Sequence, residues 1–153
     1  MIQRVQSVFL LMAVVLSALM LTGTIIEMKD VFGNLYTLSF SSMKVSIDGK
    51  EQVQNLLPLA VILAAVPVAS LVSIFLYKKR SLQMKFTMAS LMLSLGSFFV
   101  AGFYLIMLSK KIEMSYIWHL KAVIPFATAI LCWLAYRAIR KDEEKVRSLD
   151  RIR

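Results

Sequence analysis

Ionisable groups are missing from most of this 153-residue chain. Four stretches, Val5–Ile26, Leu56–Tyr77, Phe86–Leu108 and Ala122–Tyr136, hold no Asp, Glu, Lys, Arg or His. Proton relays and ion-coupled carriers depend on such groups in their interior, which argues against both. The one cysteine, Cys132, cannot form an internal disulfide, and inside an apolar run it reads as a small hydrophobe. With one histidine, His119, there is no H-E-x-x-H, and there is no C-x-x-C, so no metal ligand set is expected. G-x-S-x-G, a phosphate-cradling glycine loop and G-x-G-x-x-G are absent too. Serines in the apolar runs lack the His or Lys base that nucleophilic catalysis requires. The expectation is a protein that is not an enzyme, with no catalytic residue, no metal and no cofactor. His119 reads as a local polar partner of Glu113, and Tyr36, Tyr104 and Tyr116 as packing or interface residues.

What is present is hydrocarbon. Apolar residues make up 59% of the chain, and the mean hydropathy is +0.72. A bilayer core about 30 Å thick takes roughly 20 residues of helix to cross. The first three uncharged windows are 22, 22 and 23 residues long. The fourth has 15 and lengthens with Ile117–Leu120 and Ala138–Ile139 if Lys121 and Arg137 snorkel. No A-x-A-like cleavage site follows the first window, so it is expected to stay as a helix. The fold class expected is therefore an all-α membrane protein. It is a four-transmembrane-helix bundle (helices near 5–26, 56–77, 86–108 and 117–139) with a small β-hairpin-like outer loop between helices 1 and 2. Residues 1–153 form one domain, in which 27–55 is the outer loop and 140–153 a charged cytoplasmic tail.

The net charge of +9 is unevenly placed. Arg4, the 78–85 loop and the tail from Arg137 onward carry 12 Lys and Arg, against 6 on the other side. The positive-inside rule puts both termini in the cytoplasm of a multi-pass protein. Attraction to anionic headgroups explains the excess without nucleic acid.

Within the helices, Ala13, Ser17, Met20 and Thr24 form a strip of mostly small side chains on one face, as do Ser90, Ser94, Ser97 and Ala101. Such strips let membrane helices approach closely. Pro58 suits a first helical turn that Asn55 can cap. Pro67 falls in mid-helix and removes a backbone donor, which predicts a kink. Ser115 can cap the fourth helix, and Pro125 should bend it near its outer end. In the outer loop, Tyr36, Leu38 and Phe40 alternate as in a strand, Met43–Ile47 alternates again, and Asp48-Gly49 is a tight-turn signal. Phe32–Leu35 offers another turn. The tail alternates in sign, with Glu143 and Arg147 spaced for an ion pair and Ile139, Val146, Leu149 and Ile152 as a sparse apolar stripe.

Three segments also carry a resemblance: Met1–Gln6, Lys79–Lys85 and Ala138–Arg153. They resemble an uncharacterised family of four-helix integral membrane proteins from Bacteroidetes, along the whole chain. The resemblance implies an inner-membrane location and a domain of unknown function, and supplies no catalytic residue. The layout is also similar to claudin-like tetraspan proteins in topology, without the cysteine pair of their outer loop. The expected function is a non-enzymatic accessory or scaffold subunit of the bacterial inner membrane. Its contacts with lipid or a partner would come from Arg4, Lys78, Lys79, Arg80, Arg140, Lys141 and Arg147. Membrane lipids, a membrane-protein partner or further copies of the chain are the expected partners, and nucleic acid is not. The alternative is a small transporter or lipid-handling protein with a cavity beside the Pro67 kink.

Overall fold

The computed structural model describes residues 2–47, 50–109 and 114–150. Helix α1 (Ile2–Met20) ends where Gly23 takes φ +68, a left-handed conformation that side chains resist. The β-branched run Thr24-Ile25-Ile26 then enters strand β1 (Thr24–Asp30). Asp30 closes the next turn. Its carboxylate Oδ1 accepts the Val31 N–H at 2.6 Å, its carbonyl accepts the Gly33 N–H at 2.9 Å, and Gly33 sits at φ +84. Strands β2 (Leu35–Ser39), β3 (Ser42–Ile47) and β4 (Lys50–Asn55) follow as an antiparallel meander. Ile47 pairs with Lys50, and the Asp48-Gly49 turn between them lies outside the described residues.

Helix α2 (Leu57–Phe75) starts with Pro58 in its first turn, and Pro67 lies inside it. Leu56 occupies the cap position without a side-chain cap bond, so Asn55 ends β4 rather than capping α2. A 3-10 turn (Leu76–Lys78) leads into α3 (Arg80–Ser109). Strand β5 (Met114–Trp118), a second 3-10 turn (Leu120–Val123) and α4 (Ile124–Asp150) complete the chain.

All strand pairings are antiparallel, and the five-stranded sheet has the order β4-β3-β2-β1-β5. Each helix packs on two others, α1 and α3 both lying between α2 and α4. The sheet caps the helix ends where α1 and α3 finish and α2 and α4 begin. Its buried face (Ile25, Ile26, Met28, Tyr36, Leu38 and Met43) packs on Met20, Leu59 and Leu63, with Tyr104 and Leu105 partly buried beside them.

These observations correct the expected fold class. The protein is not an all-α four-transmembrane-helix bundle with a minor hairpin. It is mixed α and β, with four helices and a sheet built from a four-strand meander plus β5. The helix expected through Ile26 stops at Met20, because Gly23 turns the chain and β-branched residues pair better in a sheet. Thr24 therefore leaves the α1 strip. The helix expected from 117 begins at Ile124, since Met114–Trp118 pairs with β1. Ser115 donates to the Lys29 carbonyl at 3.3 Å rather than capping α4, and Pro125 falls in the first turn of α4, where its missing N–H breaks no helical bond. The segment 140–150 continues α4. Three helical segments, Leu57–Lys78, Arg80–Met107 and Leu120–Val146, are long and apolar enough to cross a membrane, and Val5–Met20 is a shorter apolar helix.

Candidate functional site

The helix interior is lined by hydroxyls and amides. Gln6 and Ser17 of α1, Ser70 and Ser73 of α2, Gln83, Thr87, Ser90, Ser94 and Ser97 of α3, and Thr128 of α4 are all buried. Several bonds run between helices. Gln6 Nε2 donates to the Ala138 carbonyl at 3.1 Å, and Ser94 Oγ to the Pro125 carbonyl at 2.6 Å. Ser73 Oγ lies 2.7 Å from Thr87 Oγ1 and 3.2 Å from the Gln83 carbonyl, which also accepts from Thr87 at 2.9 Å. Others bond back within their own helix, as Ser17 does to Ala13 and Ser90 to Phe86. A space of about 10 Å³ among Ser17, Ser94, Ser97 and Thr128 has room for about one water molecule. The seam can hold helices in register; its groups carry no charge to relay.

Of the residues expected to pack helices, Ser90, Ser94 and Ser97 are buried, and Ala101 is partly buried against the sheet-facing core. Pro67 is partly buried within α2. The strip extends further than its sequence reading. Gln83, Thr87, Ser90, Ser94 and Ser97 follow steps of 4, 3, 4 and 3 along one face of α3. Polar residues interrupting an apolar run were the available signal for Gln6, Ser70, Ser73 and Thr128.

At the end away from the sheet, the expected basic residues fall in two places. Lys78 and Lys79 are exposed at the α2–α3 turn, and Arg140 and Lys141 are exposed on α4. Arg80 joins the two. Its Nη2 lies 3.4 Å from Asp142 Oδ2, and its Nη1 donates to the Asp142 carbonyl at 3.4 Å. Arg140 Nε pairs with Glu144 Oε1 at 3.0 Å, one turn along α4. Lys78 stacks over Tyr77, and Arg137 over Trp133. The side chains of Arg4, Arg147 and Leu149, and all of Ile152, lie outside the described residues, as does the expected Glu143–Arg147 pair. Ile139 is buried and Val146 exposed, so that stripe is only partly a packing face.

At the sheet end, β4 is an edge strand exposed at all six positions. Val31, Phe32, Leu35 and Ile47 are exposed apolar side chains around the turns farthest from the helices. Tyr36 is buried, and Phe40, just beyond β2, is partly buried against the same core. His119 Nε2 lies 3.5 Å from Glu27 Oε1; Glu113 and the Tyr116 side chain lie outside the described residues. Lys121 Nζ donates to the Thr22 carbonyl at the α1–β1 turn. Among the described residues, no three His, Cys, Asp or Glu side chains gather as a metal site.

Fold and surfaces define a class: a sheet-capped helical protein with three helices long and apolar enough to cross a membrane. The chain belongs to the family described as domain of unknown function (DUF4293), which matches residues 2–152. No curated protein matches it.

Proposed function

We propose that this chain is a multi-pass protein of a bacterial inner membrane, the location implied by its resemblance to Bacteroidetes proteins. It acts there as a non-enzymatic accessory or scaffold subunit. One observation carries the membrane reading: the helices are turned inside out relative to a water-soluble fold. Large apolar side chains such as Val61, Phe99 and Phe103 point outward at 66%, 72% and 59% exposure, while Ser70, Ser73, Thr87 and Ser90 are fully buried. In water each such outward side chain forfeits about 1.5–3 kcal/mol of burial. In lipid the arrangement is favourable, because association there rests on small residues and hydrogen bonds. Helix α1 crosses with the other three, packed on α2 and α4, its apolar part Val5–Met20 being about 24 Å long. The start of α1 and the end of α4 then lie opposite the sheet, on the basic, cytoplasmic side.

The scaffold reading is supported by what the two ends offer. Lys78, Lys79, Arg140 and Lys141 are exposed, which suits contact with anionic lipid or an acidic partner surface. On the other side, the β4 edge can accept a partner strand. Purification of the intact protein in mild detergent should recover a stoichiometric membrane-protein partner or a homo-oligomer. Reversing charge at Arg140, Lys141 and Arg147 should weaken that association, and recovery of a lone monomer under several conditions contradicts the reading. For the alternative of a small transporter, the interior space of about 10 Å³ offers no support. The lipid-handling alternative gains some from an apolar cavity at the sheet end.

A further inference from the structure

That cavity has a volume of about 80 Å³ and lies where the sheet meets the helices. Met20, Ile25, Leu59 and Leu63 form one side, and Ala101 and Gly102 of α3 form part of the other. A side chain built on Gly102 would meet nothing within 4 Å, so this wall is open space rather than packed backbone. Leu59, Leu63, Ala101 and Gly102 all belong to segments apolar enough to cross a membrane. Apolar cavities of roughly twice this volume stay dry and take hydrocarbon rings. At this depth the hydrocarbon at hand is a lipid acyl chain.

A second observation concerns charge. The turn linking Met20 to Ile25 carries the Lys121 ammonium, which donates to the Thr22 carbonyl and would lie 2.8 Å from a Cβ at Gly23. Among the described residues no carboxylate is within ion-pair distance of Lys121; the nearby Glu27 faces His119 instead. A cation therefore sits at the turn between two residues that line the cavity, Met20 and Ile25, and next in sequence to a third, Ala122. A cation beside an apolar cavity matches the headgroup and chain of an anionic phospholipid.

We infer that the cavity seats a few methylenes of one acyl chain of an anionic phospholipid from the sheet-side leaflet, with its phosphate paired to Lys121. This rests on the membrane reading above. Membrane insertion is checked separately by alkaline carbonate extraction of the unmodified protein, so failure of one is distinguishable from failure of the other. The test is native mass spectrometry of the full chain released from detergent, with phosphatidylglycerol, phosphatidylcholine or laurate added. The expected result is one retained phosphatidylglycerol, about fivefold favoured over phosphatidylcholine, as one lysine's attraction implies. Gly102→Leu should fill the cavity and abolish retention while helical circular dichroism is unchanged. Lys121→Gln should keep lipid binding and lose the fivefold preference. If Gly102→Leu does not fold, Ala101→Val fills the same wall and should weaken retention. Retention unchanged in the cavity-filled variant overturns the inference, as does a wild-type protein that binds both lipids equally. Displacement of phosphatidylglycerol by laurate overturns it in favour of a free fatty acid.

Discussion

The Ser73–Thr87–Gln83 cluster makes a quantitative prediction, because its protons can be counted. Each hydroxyl has one proton. Thr87 gives its proton to the Gln83 carbonyl at 2.9 Å, a bond within α3 that persists when the helices separate. We assign the Ser73 proton to Thr87 Oγ1, 2.7 Å away, in a contact where either hydroxyl could donate; on that assignment this bond ties α2 to α3. Both hydroxyls are fully buried. Ser73→Ala removes the interhelical bond and should destabilise by about 0.6 kcal/mol, the average for such bonds between membrane helices, and by no more than about 1.7 kcal/mol. Thr87→Val removes Thr87's claim on the Gln83 carbonyl, 3.2 Å from Ser73 Oγ, and Ser73 can donate there instead. Thr87→Val should therefore have less than half the effect of Ser73→Ala. The double variant should match Ser73→Ala within about 0.5 kcal/mol, a clear departure from additivity. Reversible unfolding by sodium dodecyl sulfate in mixed micelles, followed by circular dichroism, measures all three. A Thr87→Val effect larger than that of Ser73→Ala, or strict additivity, refutes this proton assignment.

Other substitutions test separate links. Gly23→Ala should lower stability by about 1–2 kcal/mol, since φ +68 disfavours a Cβ and Lys121 stands in its way. Gly23→Asn should do less harm at that φ, and thermal unfolding in detergent ranks the two. Phe99→Lys, on the outward face of α3, should raise the free energy of insertion by about 3–4 kcal/mol. The fraction resisting carbonate extraction reports it, and unchanged extraction would place that face in water. Arg80→Ala breaks a partly exposed pair and should shift global stability by no more than about 1 kcal/mol. It should instead speed amide exchange in the extension of α4 around Asp142, which hydrogen–deuterium exchange resolves.

The helical part of this architecture was legible from a coarse pattern: long uncharged runs, one after another. The small-residue strip on α3 could be read from its spacing, and Ser90, Ser94 and Ser97 are indeed buried together. The sheet was harder to see. Tyr36, Leu38 and Met43 advertised strands through alternation, but Ile25 and Ile26 are as apolar as the helix before them. Only Gly23 marked the change, and its positive φ is a tertiary outcome. Strand β5 depends on pairing with β1, 86 residues away at Ser115 and Lys29, and no local pattern announces such a partner. The basic residues were easy to place at one end. That Arg80 would reach Asp142 while Lys78 and Lys79 stay outward depends on how α3 packs on α4.

The central claim is that lipid surrounds the helices, with the sheet on one side of the membrane and the end of α4 on the other. Cys132, buried in α4, can be replaced by alanine to give a cysteine-free background. Lys50→Cys in β4 and Lys141→Cys in α4 are then labelled one at a time in intact cells with a membrane-impermeant maleimide. The account predicts strong labelling at position 50 and none at position 141 until the cells are opened. Labelling of both positions in intact cells, or of neither, would contradict it.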